Sequence, residues 1–131
     1  MIGVSILRED LVWIQGPYPA GAFNNVKIFN KVLLHFLEPG ESVEADNGYV
    51  GASNKVKCPD NPCNPAVNEG KQSCVHSRHE TINGRFKTWG ILSQVYRHDI
   101  RRHSEVFRAV AIITQLAIEN SSPLFQVDYE D

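Results

Sequence analysis

The stretch that decides the fold class is VSILREDLVWI, which occupies residues 4–14. It holds two β-rich apolar runs, VSIL and LVWI, separated by a charged Arg-Glu-Asp triplet. Two such runs joined by a polar turn predict a β-hairpin, which we place at residues 1–15. Because the first run lies so close to the N-terminus, we expect that the sheet lacks an edge strand upstream of it.

The segment after the hairpin is predicted to contain one helix and one strand. Apolar residues recur every three or four positions across residues 24–38, which predicts an amphipathic helix. An Asn-Asn pair can cap its start, and a Pro-Gly pair stops it. Residues 42–50 then predict a short strand with Asp46, which lies directly before an Asn-Gly turn.

The rest of the chain reads as a long irregular segment followed by helices. Residues 51–74 are rich in proline and poor in periodicity, so we interpret them as a loop insertion with at most one short strand. Residues 77–120 are predicted to be helical, with the last helix capped by Ser104, and residues 121–131 form an acidic tail. The predicted strands lie mainly in the first part of the chain and the helices mainly in the last. This order predicts a single α/β domain over residues 1–131, in which helices pack on a mixed sheet.

The composition excludes several classes of protein. The chain has 131 residues, 42% of them hydrophobic, and a formal net charge of −2, which favours a folded domain over a disordered or histone-like basic chain. No run of about 18 apolar residues is present, so we expect no membrane span. The N-terminus lacks the basic start and long apolar core of a signal peptide. Three cysteines, an odd number, favour free thiols in a reducing, intracellular compartment.

Positive charge is concentrated in one part of the chain. Residues 75–108 hold seven arginines and lysines against three acidic residues, although the whole chain is slightly acidic. A polyanion such as DNA would prefer this part of the chain. A solvated helix with its loop is the alternative explanation. The candidate nucleic-acid-binding residues are Arg78, Arg85, Lys87, Arg101 and Arg102.

Two carboxylates stand out by their placement. Asp46 follows a predicted strand, and ligands collect at strand ends in open α/β sheets, although Asp-Asn-Gly is also ordinary turn chemistry. Glu80 lies about 200° around the helix from the apolar Ile82, on a polar face that also carries Asn83 and Lys87. Such a face is usually no more than a solvated surface, so neither position specifies a function by itself.

Cysteine and histidine residues form a third candidate, a zinc site. The set comprises Cys58, Cys63, Cys74, His76 and His79. The four residues between the first two cysteines just fit the spacing of a zinc pair, but the second half of the set matches no standard pattern. Three incidental thiols in an intracellular protein are the alternative.

Three sequence motifs resemble those of one family of enzymes. They are GPYPAG at residues 16–21, EADNGY at 44–49 and RHETINGRFKTW at 78–89. Taken together they resemble the DDE superfamily endonucleases, the Harbinger-like transposases, whose catalytic domain is ribonuclease-H-like. YRHDI at 96–100 and the helix that begins at Phe107 are similar to the C-terminal part of protist members, so the resemblance covers nearly the whole chain.

The resemblance implies divalent-metal-dependent DNA cleavage and strand transfer. It assigns Asp46 as the second catalytic aspartate and Glu80 as the third acidic residue, both as ligands of Mg²⁺ or Mn²⁺. The family's first aspartate lies on a strand upstream of the hairpin, and no acidic residue of this chain matches it. We therefore expect a truncated ribonuclease-H-like fold with its first strand missing, the C-terminal portion of a catalytic domain that is inactive alone.

The same resemblance implies DNA as the partner and an intracellular, nuclear location. An apolar sheet edge left by the missing strand would lie beside residues 4–7, and such edges favour association into a homo-oligomer. The alternative function is a non-catalytic DNA- or protein-binding module that could contain zinc.

Overall fold

The computed structural model describes most of the chain, namely residues 1–8, 10–18, 21–60 and 69–128. The chain divides into two compact units. The first unit combines Met1–Pro17 with Ser77–Asp131, and the second unit is Tyr18–His76. Helices and small sheets are both present, so the prediction of a mixed α/β class is confirmed.

Four strands and four α-helices lie within the described residues. The strands are β1 (Ile2–Val4), β2 (Leu11–Ile14), β3 (Val43–Glu44) and β4 (Val56–Lys57). The helices are α1 (Asn25–Lys31), α2 (Glu69–Lys87), α3 (Gly90–Ser93) and α4 (His103–Asn120). Short 3-10 helices span Leu33–Phe36, Asn47–Tyr49 and Ile100–Arg102. Among the described residues, no helix is long and apolar enough to cross a membrane.

The strands pair in two separate sheets. β1 and β2 are antiparallel in the first unit, whereas β3 and β4 are parallel in the second. The described residues therefore hold two two-stranded sheets, where we predicted one mixed sheet. The second sheet is short because β3 has only two residues before the chain turns at Asp46.

The first strand of the hairpin lies upstream of its predicted position. Gly3 in β1 lies opposite Trp13 in β2, and a Cβ atom on Gly3 would come within 2.9 Å of the Trp13 Cβ. Only glycine permits this close pairing. The Ser5 N–H still donates to the Asp10 carbonyl across the hairpin at 2.9 Å, but the carbonyl oxygens of Ser5 and Ile6 accept hydrogen bonds from the Arg78 guanidinium at 3.1 and 2.9 Å. Carbonyl groups directed at a guanidinium are not directed at a neighbouring strand.

The core of the first unit is formed by α2, α4, the hairpin and the segment after α4. Its buried side chains are Ile82, Phe86, Val110, Ala111, Ile118 and Leu124. The rings of Phe86 and Phe107 pack with their centroids 5.4 Å apart. Gln115 on α4 fixes the hairpin, since its Oε1 accepts the Leu11 N–H at 2.8 Å. Burial of this apolar surface is the main source of the unit's stability.

The helix α2 begins at Glu69, earlier than the predicted helical start at Ser77. Its first turns lie within the predicted loop insertion and carry few apolar residues, so they show no helical periodicity. Gln72 is nevertheless buried, and its side-chain amide donates to the Ala45 carbonyl at 3.3 Å. A tertiary hydrogen bond therefore contributes to holding the beginning of α2, where no apolar stripe is present.

The predicted helix at residues 24–38 is divided in two. Asn24 caps α1, because its Oδ1 accepts the Lys27 N–H at 2.9 Å. Val32 then leaves the helical conformation at φ −124° and ψ −69°, and the 3-10 helix Leu33–Phe36 follows. β-branched residues such as valine are weak helix formers, which is consistent with a break at this position.

The core of the second unit is built around Phe29. Phe29 and Val56 are fully buried, and Ala45 and Ala52 belong to the same cluster. The ring of Tyr49 meets the ring of Phe29 edge to face, with the centroids 6.4 Å apart. The turn that carries Asp46 is thus packed onto the core through its own aromatic residue.

Replacing Phe29 with alanine tests this core. Phe29 is 0% exposed, so Phe29→Ala leaves a cavity, and we expect the free energy of unfolding to fall by about 3–5 kcal/mol. Phe36→Ala is the matched control, because Phe36 is 67% exposed and its loss should cost less than about 1 kcal/mol. Urea denaturation followed by circular dichroism measures both variants. Equal losses in the two would contradict the assignment of Phe29 to the core.

Candidate functional site

Asp46 lies in the turn after β3, where it caps the 3-10 helix Asn47–Tyr49. Its Oδ1 accepts the Gly48 N–H at 2.9 Å, and the side chain is exposed. This contact is the turn chemistry that the Asp-Asn-Gly sequence favours. The other carboxylate oxygen, Oδ2, accepts no hydrogen bond within the described residues. One carboxylate can therefore hold the turn and still offer an oxygen to a ligand.

The surroundings of Asp46 include a phenol and a second carboxylate. Burial raises the pKa of Tyr49 above its usual value of 10.0, and the negative charge of Asp46 raises it further. Asn47 ties Asp60 to the turn, since its Nδ2 donates to Asp60 Oδ2 at 2.6 Å and its Oδ1 accepts the Asp60 N–H at 3.2 Å. Sequence reasoning missed Asp60, because the proline-rich segment around it has no periodicity to mark the position.

Glu80 lies on the exposed side of α2, in the first unit. Its Oε1 accepts a long hydrogen bond of 3.4 Å from Asn83 Nδ2. The neighbouring His79 uses both ring nitrogens, because Nε2 lies 3.1 Å from the Ile2 carbonyl oxygen and Nδ1 lies 3.3 Å from Asn83 Nδ2. A carbonyl only accepts, so Nε2 carries the proton and Nδ1 accepts. The carboxylate of Glu80, and not the imidazole of His79, is the group left open to a ligand.

The two predicted metal ligands belong to different units, Asp46 to the second and Glu80 to the first. Each supplies the carboxylate oxygens that Mg²⁺ and Mn²⁺ prefer. Within residues 1–8, 10–18, 21–60 and 69–128, no group of three or more Asp, Glu, His or Cys side chains could hold a metal ion. The described residues by themselves therefore do not form the three-carboxylate centre that the resemblance implies.

The predicted zinc ligands have different surroundings. Cys58 is buried and Cys74 is exposed, whereas Cys63 lies outside the described residues. His76 has a buried Nε2 that meets no hydrogen-bond partner in the described part of the chain, and His79 is bound to the hairpin. His79 has little freedom to bind a metal, because both of its ring nitrogens are engaged.

Arg78 is buried, which corrects its assignment to a DNA-binding surface. The residue is only 4% exposed. Its Nε and Nη2 donate to the Phe125 carbonyl, and its Nη1 donates to the carbonyls of Ser5 and Ile6. A guanidinium satisfied by backbone carbonyls in this way is not available to a phosphate. The side chain instead joins the hairpin loop and the C-terminal segment to α2.

Arg85 also acts within the first unit. Its Nη1 donates to the Ser122 carbonyl and its Nη2 donates to the Pro123 carbonyl at 3.3 Å, so it holds the chain that leaves α4. Lys87 is exposed and makes no hydrogen bond or ion pair within the described residues. Of the five predicted basic residues, two therefore bind the protein's own backbone.

The remaining exposed arginines lie close together in the sequence. Arg101 and Arg102 are exposed, as is Arg97, which we had not predicted as a contact. We call these three residues the cationic segment. The Arg102 side chain makes no hydrogen bond or ion pair within the part of the chain that the structure describes, although its backbone N–H donates to the Asp99 carbonyl at 2.9 Å. Three exposed guanidinium groups within six residues form the densest accessible positive charge of the first unit.

Asp99 lies inside this segment and pairs with Arg101. Its carboxylate accepts two hydrogen bonds of 3.0 Å from Arg101 Nε and one of 2.7 Å from Nη2. These bonds lower the pKa of Asp99 and raise that of Arg101. Because the pair is exposed to solvent, it adds little to stability. Asp99 also caps the 3-10 helix that leads into α4, which explains why α4 begins at His103, before the predicted cap at Ser104.

An open cavity of about 650 Å³ lies beside the cationic segment. The Tyr96 ring meets the His98 and His103 rings edge to face, with centroids 5.5 and 4.9 Å apart. The cavity combines an aromatic ring, apolar side chains and both signs of charge. Its lining residues are Ile91, Tyr96, His98, Asp99, Arg102, Glu105 and Val106.

No protein-family model, curated protein or solved structure matches this chain.

Replacing Arg78 and Lys87 of α2 compares the contribution of a buried basic side chain to stability with that of an exposed one. Arg78→Met leaves the partly buried carbonyls of Ser5, Ile6 and Phe125 without this donor, and we expect the free energy of unfolding to fall by about 3 kcal/mol. Lys87→Met removes the same charge from an exposed position and should change it by less than about 0.5 kcal/mol. Thermal unfolding by calorimetry provides the comparison. A fully stable Arg78→Met variant would show that these hydrogen bonds are dispensable.

Proposed function

We propose that the protein binds DNA through the cationic segment. The observation that carries this proposal is the division of the basic residues: Arg78 and Arg85 bind backbone carbonyls, whereas Arg97, Arg101 and Arg102 are exposed. Arginine side chains at the surface pair with phosphate oxygens through two parallel N–H groups. A local surface of this kind attracts a polyanion even though the whole chain carries a net charge of −2.

The cavity beside Tyr96 favours DNA that contains unpaired bases. Aromatic side chains provide stacking surfaces for splayed bases, and single-stranded sites combine such surfaces with positive charge along the backbone path. Tyr96 and Arg102 line the same cavity, and its volume of about 650 Å³ lies within the usual range for small-ligand sites. We therefore expect single-stranded or frayed DNA to bind more tightly than blunt duplex.

Removing the two adjacent arginines tests this surface. Arg101→Gln/Arg102→Gln should weaken the binding of a fluorescein-labelled oligonucleotide by on the order of tenfold at low salt. The slope of log K against log salt should also become shallower by about 2, since each phosphate contact releases close to one counterion. Fluorescence anisotropy between low and moderate salt measures both quantities.

Two controls accompany this measurement. Lys27→Gln/Lys31→Gln removes the same charge from exposed positions of α1, and it should leave the affinity nearly unchanged. Asp99→Asn removes the carboxylate that pairs with Arg101, so it should strengthen DNA binding. Equal weakening by both double variants would show that net charge, and not the cationic segment, governs the affinity.

We propose further that the chain is a relative of the DDE superfamily endonucleases with a ribonuclease-H-like fold. The support is the set of three motifs in the sequence, two of which contain Asp46 and Glu80. Both carboxylates are exposed, and oxygen ligands of this type suit Mg²⁺ or Mn²⁺. In such enzymes the metal ions activate the attacking oxygen and stabilise the leaving one. A DNA substrate fits a nuclear location.

Manganese titration tests whether the two carboxylates bind metal. Paramagnetic Mn²⁺ should broaden the amide resonances next to Asp46 and Glu80 in a ¹⁵N correlation spectrum. Asp46→Asn should abolish the effect at residue 46 while keeping the turn, because an asparagine oxygen can still accept the Gly48 N–H. Glu80→Gln is the matched change on α2. Broadening that survives in both variants would place the metal elsewhere and remove the support for a catalytic centre.

A non-catalytic binding module is the second candidate function. The cationic segment includes neither Asp46 nor Glu80, so DNA binding does not require either carboxylate. Anisotropy on Asp46→Asn and Glu80→Gln, combined with a plasmid-nicking assay in Mg²⁺ and Mn²⁺, distinguishes the two functions. Unchanged binding without nicking favours the module, whereas nicking that Glu80→Gln abolishes favours the nuclease.

A further inference from the structure

Helix α4 has two apolar faces, of which the first unit covers only one. The buried face carries Val110, Ala111, Thr114 and Ile118. On the opposite side, Ile112 is 60% exposed, Ile113 is 46% exposed and Leu116 is 52% exposed. Exposed apolar side chains grouped on one helix face mark an interaction surface more often than scattered ones do.

The exposed face of α4 has a self-complementary register. With 3.6 residues per turn, six residues lie along this face, which we call the α4 stripe: Glu105, Ala109, Ile112, Ile113, Leu116 and Asn120. Rotating a second helix by a half-turn about the midpoint between Ile112 and Ile113 brings Ile112 to the height of the second copy's Ile113 and beside its Ile112, so that the isoleucines of both copies meet at the two-fold axis. The same rotation places Leu116 opposite the small Ala109, so that a large side chain meets a space.

The polar residues at the ends and on one flank of the stripe obey the same symmetry. Glu105 falls opposite Asn120 of the second copy, and a carboxylate can accept from an amide. Arg108 and Glu119 are exposed and lie on the same flank of α4, so the half-turn brings each close to the other on the facing helix. Within the described residues, Arg108 makes no ion pair, and Glu119 accepts only from Gln115 Nε2, at 2.8 Å.

We propose that the α4 stripe is the interface of a homodimer, in which α4 pairs with α4 of a second copy antiparallel and with two-fold symmetry. A single patch that complements itself is what an isologous interface requires. A second copy fits better than a membrane surface, because interfacial membrane helices carry lysine and arginine on their polar face. The α4 stripe instead includes Glu105 at one end and is flanked by Arg108 and Glu119, which makes one arginine against two glutamates.

The dimer is expected to be weak. One helix pair buries less than the roughly 1,600 Å² of a standard protein interface, so association should depend on protein concentration over the micromolar range. The apolar centre supplies the affinity, and the Arg108–Glu119 pairs fix the antiparallel orientation. This surface is distinct from the sheet edge at residues 4–7, from which we predicted association on the sequence alone.

Sedimentation velocity on the full chain, over a wide range of concentrations, tests the dimer. Ile112→Lys/Ile113→Lys should raise the dissociation constant by at least about tenfold, because it places like charges at the two-fold axis. Both isoleucines are exposed, so the variant should keep its circular dichroism spectrum. A parent chain that is monomeric at all concentrations, or a dimer that resists this change, overturns the proposal.

A charge reversal tests the antiparallel register. Arg108→Glu and Glu119→Arg should each weaken the dimer by placing like charges opposite each other, whereas Arg108→Glu/Glu119→Arg should restore it. Within one chain the two residues are three helical turns apart, so only pairing between copies predicts this rescue. Failure of the double variant to recover overturns the register. A monomer whose α4 stripe binds vesicles of phosphatidylcholine and phosphatidylserine instead overturns the choice of a second copy as occupant.

Discussion

The first unit depends on the buried guanidinium of Arg78. Three segments far apart in the sequence, the hairpin loop, α2 and the chain after α4, meet at this one side chain through the carbonyls of Ser5, Ile6 and Phe125. Backbone carbonyls outside regular structure need donors when they are buried, and an arginine supplies five N–H groups in a fixed plane. The same contacts end β1 early, so the length of the hairpin strands is set by a residue more than 70 positions away.

The spacing of apolar residues predicted which faces of the helices are buried. The apolar spacing predicted an amphipathic helix across residues 24–38 and opposed Ile82 to the polar face of Glu80, and the structure buries both Phe29 and Ile82, because burial of such side chains is the strongest term in folding. The end of α1 at Val32, the early start of α2 and the burial of Arg78 escaped prediction. The last two depend on contacts between residues distant in sequence, and charge alone does not reveal whether an arginine faces water or backbone carbonyls.

The candidate site was also predicted only in part from the sequence. The sequence singled out Asp46 and Glu80, and the structure finds both exposed. The sequence alone could not reveal that Asp46 already caps a turn, or that Asn47 ties Asp60 to that turn. One oxygen of the Asp46 carboxylate accepts the Gly48 N–H, and this hydrogen bond restricts the rotation of the carboxylate. The other oxygen is therefore held in a fixed orientation, which suits it to bind a ligand. Turn chemistry and metal binding are therefore compatible roles for one residue, and the simpler role does not exclude the other.

The cationic segment and the α4 stripe are adjacent, because Arg102 immediately precedes the first residue of α4. In an antiparallel α4 pair the two N-termini lie at opposite ends. An 18-residue helix is about 27 Å long, so the two cationic segments would be separated by roughly that distance. Once one segment is bound, the second would meet the same DNA molecule at a high effective concentration. Dimerisation would then strengthen DNA binding without any new contact between protein and DNA, and it would let a chain of net negative charge hold a polyanion at two points.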